Sequence, residues 1–338
     1  MRAVLVRDWT MPDRLEVTEV PRPEPSPREV LIRVEASAVS HSLSLLIAGK
    51  YQRKPALPFV PGNTAAGTVV AAGPGATRFG PGARVLASME QGGLAEYAVA
   101  HEANAYAIPD GMDAARATTL NTAYNSVCAA LTWPRLLDLQ PGHTLLVHGA
   151  GGSVGSAAWE IGRLLGARVI ATARGAAKLA FARECGAAEV IDPDPPTLKA
   201  RVMALTGGEG VHAVLDPVGG ALFAESLRCL RPEGRICPIG FAGGEIPQVP
   251  ANLLLVKNIS VVGLYMGFYK IDDRDGQEAR MRALFDRLGG WFTAGLIGPR
   301  IAATFPLERI RDAFAMVLDR DKIGHVAVLP DQTTLGLS

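Results

Sequence analysis

The chain has 338 residues, 48% of them hydrophobic and 20% charged, with a formal net charge of +1. That balance gives neither the basic footprint of a nucleic-acid binder nor an acidic tail, and no apolar run approaches the length of a bilayer span. The length suits two ordinary domains, and the four cysteines (Cys128, Cys185, Cys229, Cys237) are scattered in apolar surroundings, with neither disulfide-framework nor metal-ligand spacing.

The opening M-R-A-V-L-V-R-D reads as a first strand rather than a secretion signal, so a cytoplasmic protein is expected. Strand signals at Ala3–Val6, Val30–Ala38, Ala66–Ala72, Arg84–Ala87, Ala95–Ala100 and Ala105–Ile108 alternate with Pro-Gly turns at Pro61, Pro74 and Pro81. They predict an antiparallel, partly open barrel over residues 1–122. From 123 to 262 strands alternate with helices, which predicts a parallel, doubly wound sheet. The expected strands are Thr144–His148, Arg168–Thr172, Glu189–Ile191, Ala213–Asp216, Arg235–Ile239 and Ser260–Leu264, with helices such as Gly175–Cys185 and Leu222–Leu230 between them. The segment 263–338 carries helical patterns at Glu278–Thr293 and Leu307–Asp319 and a last strand at Val326–Leu329, and is expected to rejoin the barrel.

The densest signal is H-T-L-L-V-H-G-A-G-G-S-V-G, His143 to Gly155. A buried strand (Leu145, Leu146, Val147) ends at His148, a glycine turn follows, and a helix runs from Val154 with Val154, Ala158, Ile161 and Leu165 on one face. The pattern is A-x-G-x-x-G, with Ala150 in place of the first glycine. It nominates Ala150, Gly151, Gly152, Ser153, Val154 and Gly155 as dinucleotide contacts. Gly152 lets the backbone approach the phosphates, Gly155 lets the helix close on the strand, and the helix N-terminus presents N–H groups to an anion. A purely structural turn is the alternative for the motif taken alone.

Several blocks carry a family resemblance: A-G-K-Y-Q-R-K-P-A-L-P-F-V-P-G (Ala48 to Gly62), V-A-A-G-P-G-A-T-R-F-G-P-G-A-R-V (Val70 to Val85), L-D-P-V-G-G (Leu215 to Gly220), P-I-G-F-A-G-G-E-I-P (Pro238 to Pro247) and L-L-L-V-K-N-I-S-V-V-G-L-Y (Leu253 to Tyr265). In these, and in their order over nearly the full length, the chain resembles the zinc-independent medium-chain dehydrogenase/reductases of the quinone oxidoreductase (zeta-crystallin-like) kind. The resemblance implies a GroES-like catalytic domain (1–122 and 263–338) around a Rossmann nucleotide domain (123–262). It adds Val218, Gly240 and Phe241 to the cofactor contacts and implies a homodimer joined at the edge of the nucleotide sheet, where Ile259–Leu264 would otherwise be an exposed apolar strand.

Zinc-dependent relatives have a cysteine where this chain has Ser40 and a His-Glu pair where it has Asn63-Thr64; hydroxyls and an amide do not replace thiolate and imidazole, so no metal is expected. The position that would accept an NAD ribose hydroxyl, about 20 residues past the glycines, is Ala173. Arg174 and Lys178 follow it. Two cations suit a 2′-phosphate and are unfavourable at a bare helix start, so NADPH is the expected cofactor. Pro193 departs from the tyrosine that relatives carry after the third strand.

Without a metal, the acceptor must spread the charge that hydride transfer delivers, which points to a quinone or an α,β-unsaturated carbonyl, with hydrogen-bond donors for its oxygen. The resemblance makes Tyr51 the first candidate donor, with a packing aromatic as the other reading, and sets Ser126 near the nicotinamide, with a backbone-bonded helix serine as its alternative. Relatives read V-N-x-x-D where this chain has Val39-Ser40-His41-Ser42-Leu43, and often glutamate at Thr64. Ser40, Leu43 and Thr64 therefore predict a less charged substrate cleft, with Ser40 counted among the catalytic candidates and His41 as a lone loop histidine. Gly324-His325 replaces a Gly-Lys pair and would weaken a contact with cofactor phosphate. A 2-enoyl thioester reductase and an NADPH-binding structural or regulatory protein with little turnover are the competing readings. All three take a small-molecule ligand rather than nucleic acid or membrane.

Overall fold

The computed structural model describes residues 1–184, 187, 189–271, 276–319 and 321–330. The chain divides into two compact units, Met1–Thr122 with Gly267–Ser338, and Ala123–Met266.

The first unit opens with a ribbon, β1 (Arg2–Val4) antiparallel to β2 (Val17–Glu19). Its centre is β3 (Glu29–Val39), which leads directly into α1 (His41–Ile47). β4 (Thr64–Ala72), β5 (Arg84–Ser88), β6 (Tyr97–His101) and β7 (Ala105–Ala107) follow, all antiparallel to their neighbours. The core side chains of this curved sheet are small or branched (Val30, Ile32, Val69, Val85, Ala87), as strands buried on one face require. α2 (Ala114–Thr119) is started by Asp113, whose carboxylate accepts from the Arg116 N–H at 2.8 Å.

The second unit begins with α3 (Asn125–Thr132), entered through a π turn over Leu120–Tyr124. Strands and helices then alternate: β8 (Thr144–Val147), α4 (Ser153–Leu164), β9 (Arg168–Thr172), α5 (Ala176–Glu184), β10 (Glu189–Ile191), α6 (Pro195–Leu205), β11 (Val211–Asp216), α7 (Gly220–Cys229), β12 (Leu230–Pro238), α8 (Ala251–Lys257) and β13 (Ser260–Val261). Every pair is parallel and the order is β10-β9-β8-β11-β12-β13. Such a sheet is covered on both faces, and its strands accordingly bury Leu146, Ile170, Val214 and Ile236 completely. The order reverses between β8 and β11, which opens a crevice beyond the carboxyl ends of those strands.

The chain then adds α9 (Phe268–Ile271), α10 (Gln277–Thr293), β14 (Ile301–Pro306), α11 (Ile310–Leu318) and β15 (His325–Leu329) to the first unit. β15 pairs antiparallel with β3, and β14 pairs with β15 in parallel. The sheet is therefore not wholly antiparallel as expected, because α11 serves as a crossover between its last two strands. A second correction concerns the edge of the nucleotide sheet. The strand expected over Ser260–Leu264 is only two residues long, ending shortly before Gly263, which has no side chain to pack against a neighbour.

No helix of the described residues is long and apolar enough to cross a membrane. Cys128, Cys229 and Cys237 are buried, and burial pushes the Cys229 and Cys237 thiols up to about 12, so neither offers a thiolate at neutral pH. Cys185 lies outside the described residues.

Candidate functional site

The glycine turn sits at the carboxyl end of β8, beside the crevice. Gly149 takes φ +65°, a conformation that side chains disfavour. Ala150 is buried with its N–H on the Thr172 carbonyl at 2.9 Å, so the alanine in place of glycine costs the turn nothing. A Cβ on Gly155 would lie 2.1 Å from the Gly149 oxygen, so α4 can start where it does only with glycine there. The close approach of helix to strands is made one level further on: a Cβ on Gly162 would meet Leu145 of β8 at 2.9 Å and Val169 of β9 at 3.1 Å. This corrects the role expected of Gly155, which packs on the turn's own backbone. A Cβ on Gly152 would meet nothing nearer than 3.4 Å. Its smallness answers to no neighbour in the protein, and it faces space a phosphate can use.

Gly152 is also the N-cap of α4 and has no side chain to accept the first-turn N–H groups, with Ser153 and Val154 the first two helical residues. The positive end of the helix dipole there favours an exogenous anion. Lys178 of α5 lies across the turn: a Cβ on Gly151 would fall 2.9 Å from Lys178 Cγ. Arg174, between β9 and α5, is exposed, and Ala173 before it is buried. The pyrophosphate of a pyridine dinucleotide fits these residues, being an anion facing a glycine cradle, a helix N-terminus and a lysine stem.

Two further strand ends converge on this turn. The buried Asp216, closing β11, accepts from the N–H groups of Val218 (2.7 Å) and Gly219 (3.1 Å) through Oδ1 and so shapes the loop that carries Val218. Val218 Cγ2 lies 3.8 Å from where a Gly149 Cβ would stand. The loop after β12 closes over it: the Ala242 and Gly243 N–H groups donate to the Pro217 and Val218 carbonyls. A Cβ on Gly240 would lie 3.2 Å from the Pro217 oxygen, and one on Gly219 would lie 3.1 Å from the Phe241 ring. Gly151, Lys178, Val218, Gly240 and Phe241 thus share one neighbourhood.

Asp216 was not among the residues singled out, although L-D-P-V-G-G puts an acceptor two residues ahead of a turn, as in an Asx turn. His148 carries no such local signal. It is fully buried, with Nδ1 2.9 Å from Thr172 Oγ1 and Nε2 2.6 Å from Ser226 Oγ. The Ser226 hydroxyl donates to the Leu222 carbonyl, so it accepts from Nε2–H, and Thr172 donates to Nδ1. Burial holds this ring neutral by lowering its pKa, and the ring ties β8, β9 and α7 together directly below the turn.

In the first unit, Ser40 is the N-cap of α1: its hydroxyl oxygen accepts from the Leu43 N–H at 3.2 Å and lies 3.0 Å from Ser42 Oγ. His41 is therefore the exposed first residue of a helix and not a loop residue. Leu43 is buried in the cluster of Ile47, Phe314 and Val326, and Tyr51 packs half-buried against the same cluster. Thr64 is fully buried, accepting from Asn121 Nδ2 at 2.6 Å and donating to Asn63 Oδ1 at 3.3 Å. Leu43 and Thr64 are core groups, which corrects their assignment to a cleft surface. Ser126, in the second unit, donates to the Asn125 side chain from both its N–H (2.5 Å) and its hydroxyl (3.1 Å), rather than to a backbone carbonyl of α3.

His325 is also interior. Thr118 gives its hydroxyl proton to the Ala115 carbonyl at 2.7 Å, so His325 Nε2–H donates to Thr118 Oγ1 at 3.3 Å. This engagement makes the ring a structural group of the first unit and not a substitute phosphate ligand. Burial, with a smaller contribution from Lys322, pushes His325 down from 6.5 to about 3. The unfolded chain takes up this proton near pH 6.5 and the folded chain only near 3. The stabilisation is complete above pH 6.5 and drains away as the pH falls toward 3, by at most about 1.4 kcal/mol per unit. Urea midpoints measured across this window are expected to fall with pH, and His325→Gln is expected to flatten the slope.

Two family models match the chain: one described as an alcohol dehydrogenase GroES-like domain over residues 26–110, and one described as a zinc-binding dehydrogenase over residues 153–282. The chain is 38% identical over 303 residues to quinone oxidoreductase-like protein 2 homolog of Nematostella vectensis, covering 89% of this chain and 81% of that protein. It is 28% identical to quinone oxidoreductase of Homo sapiens over 94% of each chain. Among solved structures, a quinone oxidoreductase of Pseudomonas syringae pv. Tomato DC3000 superposes with a TM-score of 0.89 at 27% identity, covering 97% of this chain and 99% of that one. A mycobacterial protein solved in complex with NADPH superposes with a TM-score of 0.87 at 30% identity, covering 98% and 100%.

Proposed function

Because the chain belongs to the medium-chain dehydrogenase/reductases, among the quinone oxidoreductase-like members, we propose that it is an NADPH-dependent reductase of quinones or α,β-unsaturated carbonyls that works without a metal. The observation that carries the cofactor choice is the cation just past β9, where NAD enzymes keep a carboxylate. Arg174 stands exposed directly after the buried Ala173, the position that would select NADH by a carboxylate, while Lys178 lies across Gly151, nearer the pyrophosphate. NADPH, when bound, supplies the hydride.

The remaining roles belong to the chain's own groups. Asp216 and His148 hold the loops that seat the dinucleotide, and Ser126 contributes a hydroxyl beside the nicotinamide. Tyr51 donates to the acceptor oxygen on which negative charge accumulates, its ring steadied against the barrel core. Ser40 accepts the Leu43 N–H and shares a hydrogen bond with Ser42 Oγ, so its proton is available for donation when Ser42 is the donor of that pair. The same reading includes a homodimer. Ile246, Val249, Leu255 and Val256 are exposed apolar residues on α8 and the segment before it, in the unit whose sheet ends at the short β13. A cytoplasmic place of action rests on the sequence argument alone.

Loss of NADPH absorbance in the presence of an ortho-quinone, an alkyl vinyl ketone and crotonyl-CoA tests the proposal. Turnover with the quinone or the ketone is expected; turnover with the thioester alone would move the chain to the enoyl reductases, and cofactor binding without turnover would remove the enzymatic reading. Tyr51→Phe is expected to lower kcat by about 10²-fold while the NADPH Kd, read by fluorescence, stays put. Unchanged kcat would take Tyr51 out of the chemistry.

A further inference from the structure

A cavity of about 350 Å³ opens in the nucleotide unit at the amino ends of its strands, lined among others by His143, His212, Arg231, Asp138 and Glu233. It is not the dinucleotide crevice. His143 immediately precedes β8, whereas the glycine turn follows that strand, some 17 Å away at the rise of an extended chain.

Its polar chemistry is unusual in having a surplus of donors. The rings of His143 and His212 are stacked, 4.2 Å apart and 15° from parallel. Each Nδ1 accepts a backbone N–H, His143 from Gln140 at 3.3 Å and His212 from Thr144 at 3.0 Å. A neutral imidazole has one donor and one acceptor nitrogen, so both rings carry their proton on Nε2. Burial, as the first cause, and the neighbouring Arg231 hold both in that neutral form by lowering their pKa. Yet Arg231 Nη1 lies 2.7 Å from His212 Nε2, and a guanidinium only donates. Two N–H groups therefore meet head to head. Moving the ring proton to Nδ1 merely transfers the conflict to the Thr144 N–H. An oxygen acceptor resolves it once the two side chains part to admit it, taking a hydrogen from His212 Nε2 and a charge-assisted one from Arg231.

The other charges around the cavity decide what else the ligand carries. Arg235 is committed to the Pro134 and Leu136 carbonyls at 2.9 and 2.7 Å, so it shapes the wall rather than adding a free cation. Asp138 and Glu233 face the same space, and Glu209 acts on His212 from nearby. Asp138 (φ 46°) and Glu233 (φ 63°) are held in the left-handed region, which side chains enter at a cost and which concentrates at functional positions. We propose that this cavity is a second ligand site, taking a small molecule whose oxyanion (phosphate or carboxylate) docks on Arg231 and His212 and whose opposite end bears donors for Asp138 and Glu233. The volume suits a metabolite of modest size.

The test follows the histidine ring nitrogens of the full chain by long-range proton–nitrogen correlation at fixed ionic strength, titrating inorganic phosphate and, separately, acetate. Saturable movement of the His212 Nε2 signal is expected with at least one of them, and which one moves it identifies the class of oxyanion. Arg231→Gln is expected to weaken the response at least about tenfold. Glu233→Gln, at an exposed position where folding is not at risk, is expected to tighten it by removing a repelling charge. A linear drift that is the same in the parent chain and both variants would overturn the proposal, as would a His212 that carries its proton on Nδ1 and keeps Arg231 as its donor with phosphate and acetate present.

Discussion

Replacing either of two glycines in the turn after β8 is expected to weaken dinucleotide binding steeply, but only one replacement should damage the fold. In Gly155→Ala the new methyl group would stand 2.1 Å from the Gly149 oxygen, 2.5 Å from the Gly149 carbonyl carbon and 2.9 Å from Ala150 Cα. These are backbone atoms of a turn pinned by the Ala150 N–H to Thr172 carbonyl bond, so the strain is relieved only by shifting the start of α4 away from β8. Overpacking of this kind costs about 1–3 kcal/mol, which for a chain of this size lowers Tm by roughly 1–4 °C. The cofactor Kd should rise at least about a hundredfold, equivalent to about 2.7 kcal/mol, because the N–H groups that meet the phosphates move with the helix. Gly152→Ala is the informative contrast. Its φ of −83° and ψ of 168° suit any residue, and no protein atom lies within 3.4 Å of the added carbon. Thermal stability should stay within about 0.5 kcal/mol of the parent, while NADPH affinity falls as steeply as in Gly155→Ala if the phosphates lie against that atom. Calorimetry of the two variants with and without NADPH separates the effects. Undiminished affinity in Gly152→Ala would mean that the dinucleotide does not approach this part of the turn.

What could be read from the amino-acid order, and what could not, follows the range of the interactions involved. The doubly wound sheet was legible because buried parallel strands are continuous apolar runs such as Leu145 to Val147, and because the glycines punctuate the chain locally. The turn was recognisable for the same reason, whereas the fit of Ala150 in it rests on the Thr172 carbonyl, 22 residues on. Roles that depend on distant partners were not. His148 looks like the polar end of a strand until Thr172 and Ser226 arrive from 24 and 78 residues away. Thr64 and Leu43 were read as cleft positions because a departure from a familiar pattern reveals nothing about burial; Asn121 and the cluster around Ile47 enclose them. Ser40 was read for chemistry when its immediate physical task is to start a seven-residue helix, too short for periodicity to reveal. Tyr51 has its ring packed on the barrel core, as the packing reading expects, and its role as a donor rests on the Tyr51→Phe measurement.

Cofactor selectivity should respond strongly to Arg174. If its guanidinium pairs with the 2′-phosphate, Arg174→Ser removes a charge-assisted contact worth about 1.5–3 kcal/mol, so KM for NADPH should rise roughly 10–100-fold while KM for NADH does not change. Arg174 is exposed, so the effect should shrink as salt is raised toward molar concentrations. Lys178 behaves differently under the same logic. Its stem is packed across Gly151, so its charge is carried nearer the pyrophosphate that both cofactors share. Lys178→Met, which keeps the stem and removes the charge, should therefore weaken NADPH and NADH together. A matched set of steady-state measurements on the two variants with both cofactors discriminates these roles, since one variant changes the ratio of the two KM values and the other changes both in step. A parent chain that prefers NADH, or an Arg174→Ser variant whose ratio does not move, would remove the 2′-phosphate from Arg174 and leave it as the solvated start of α5.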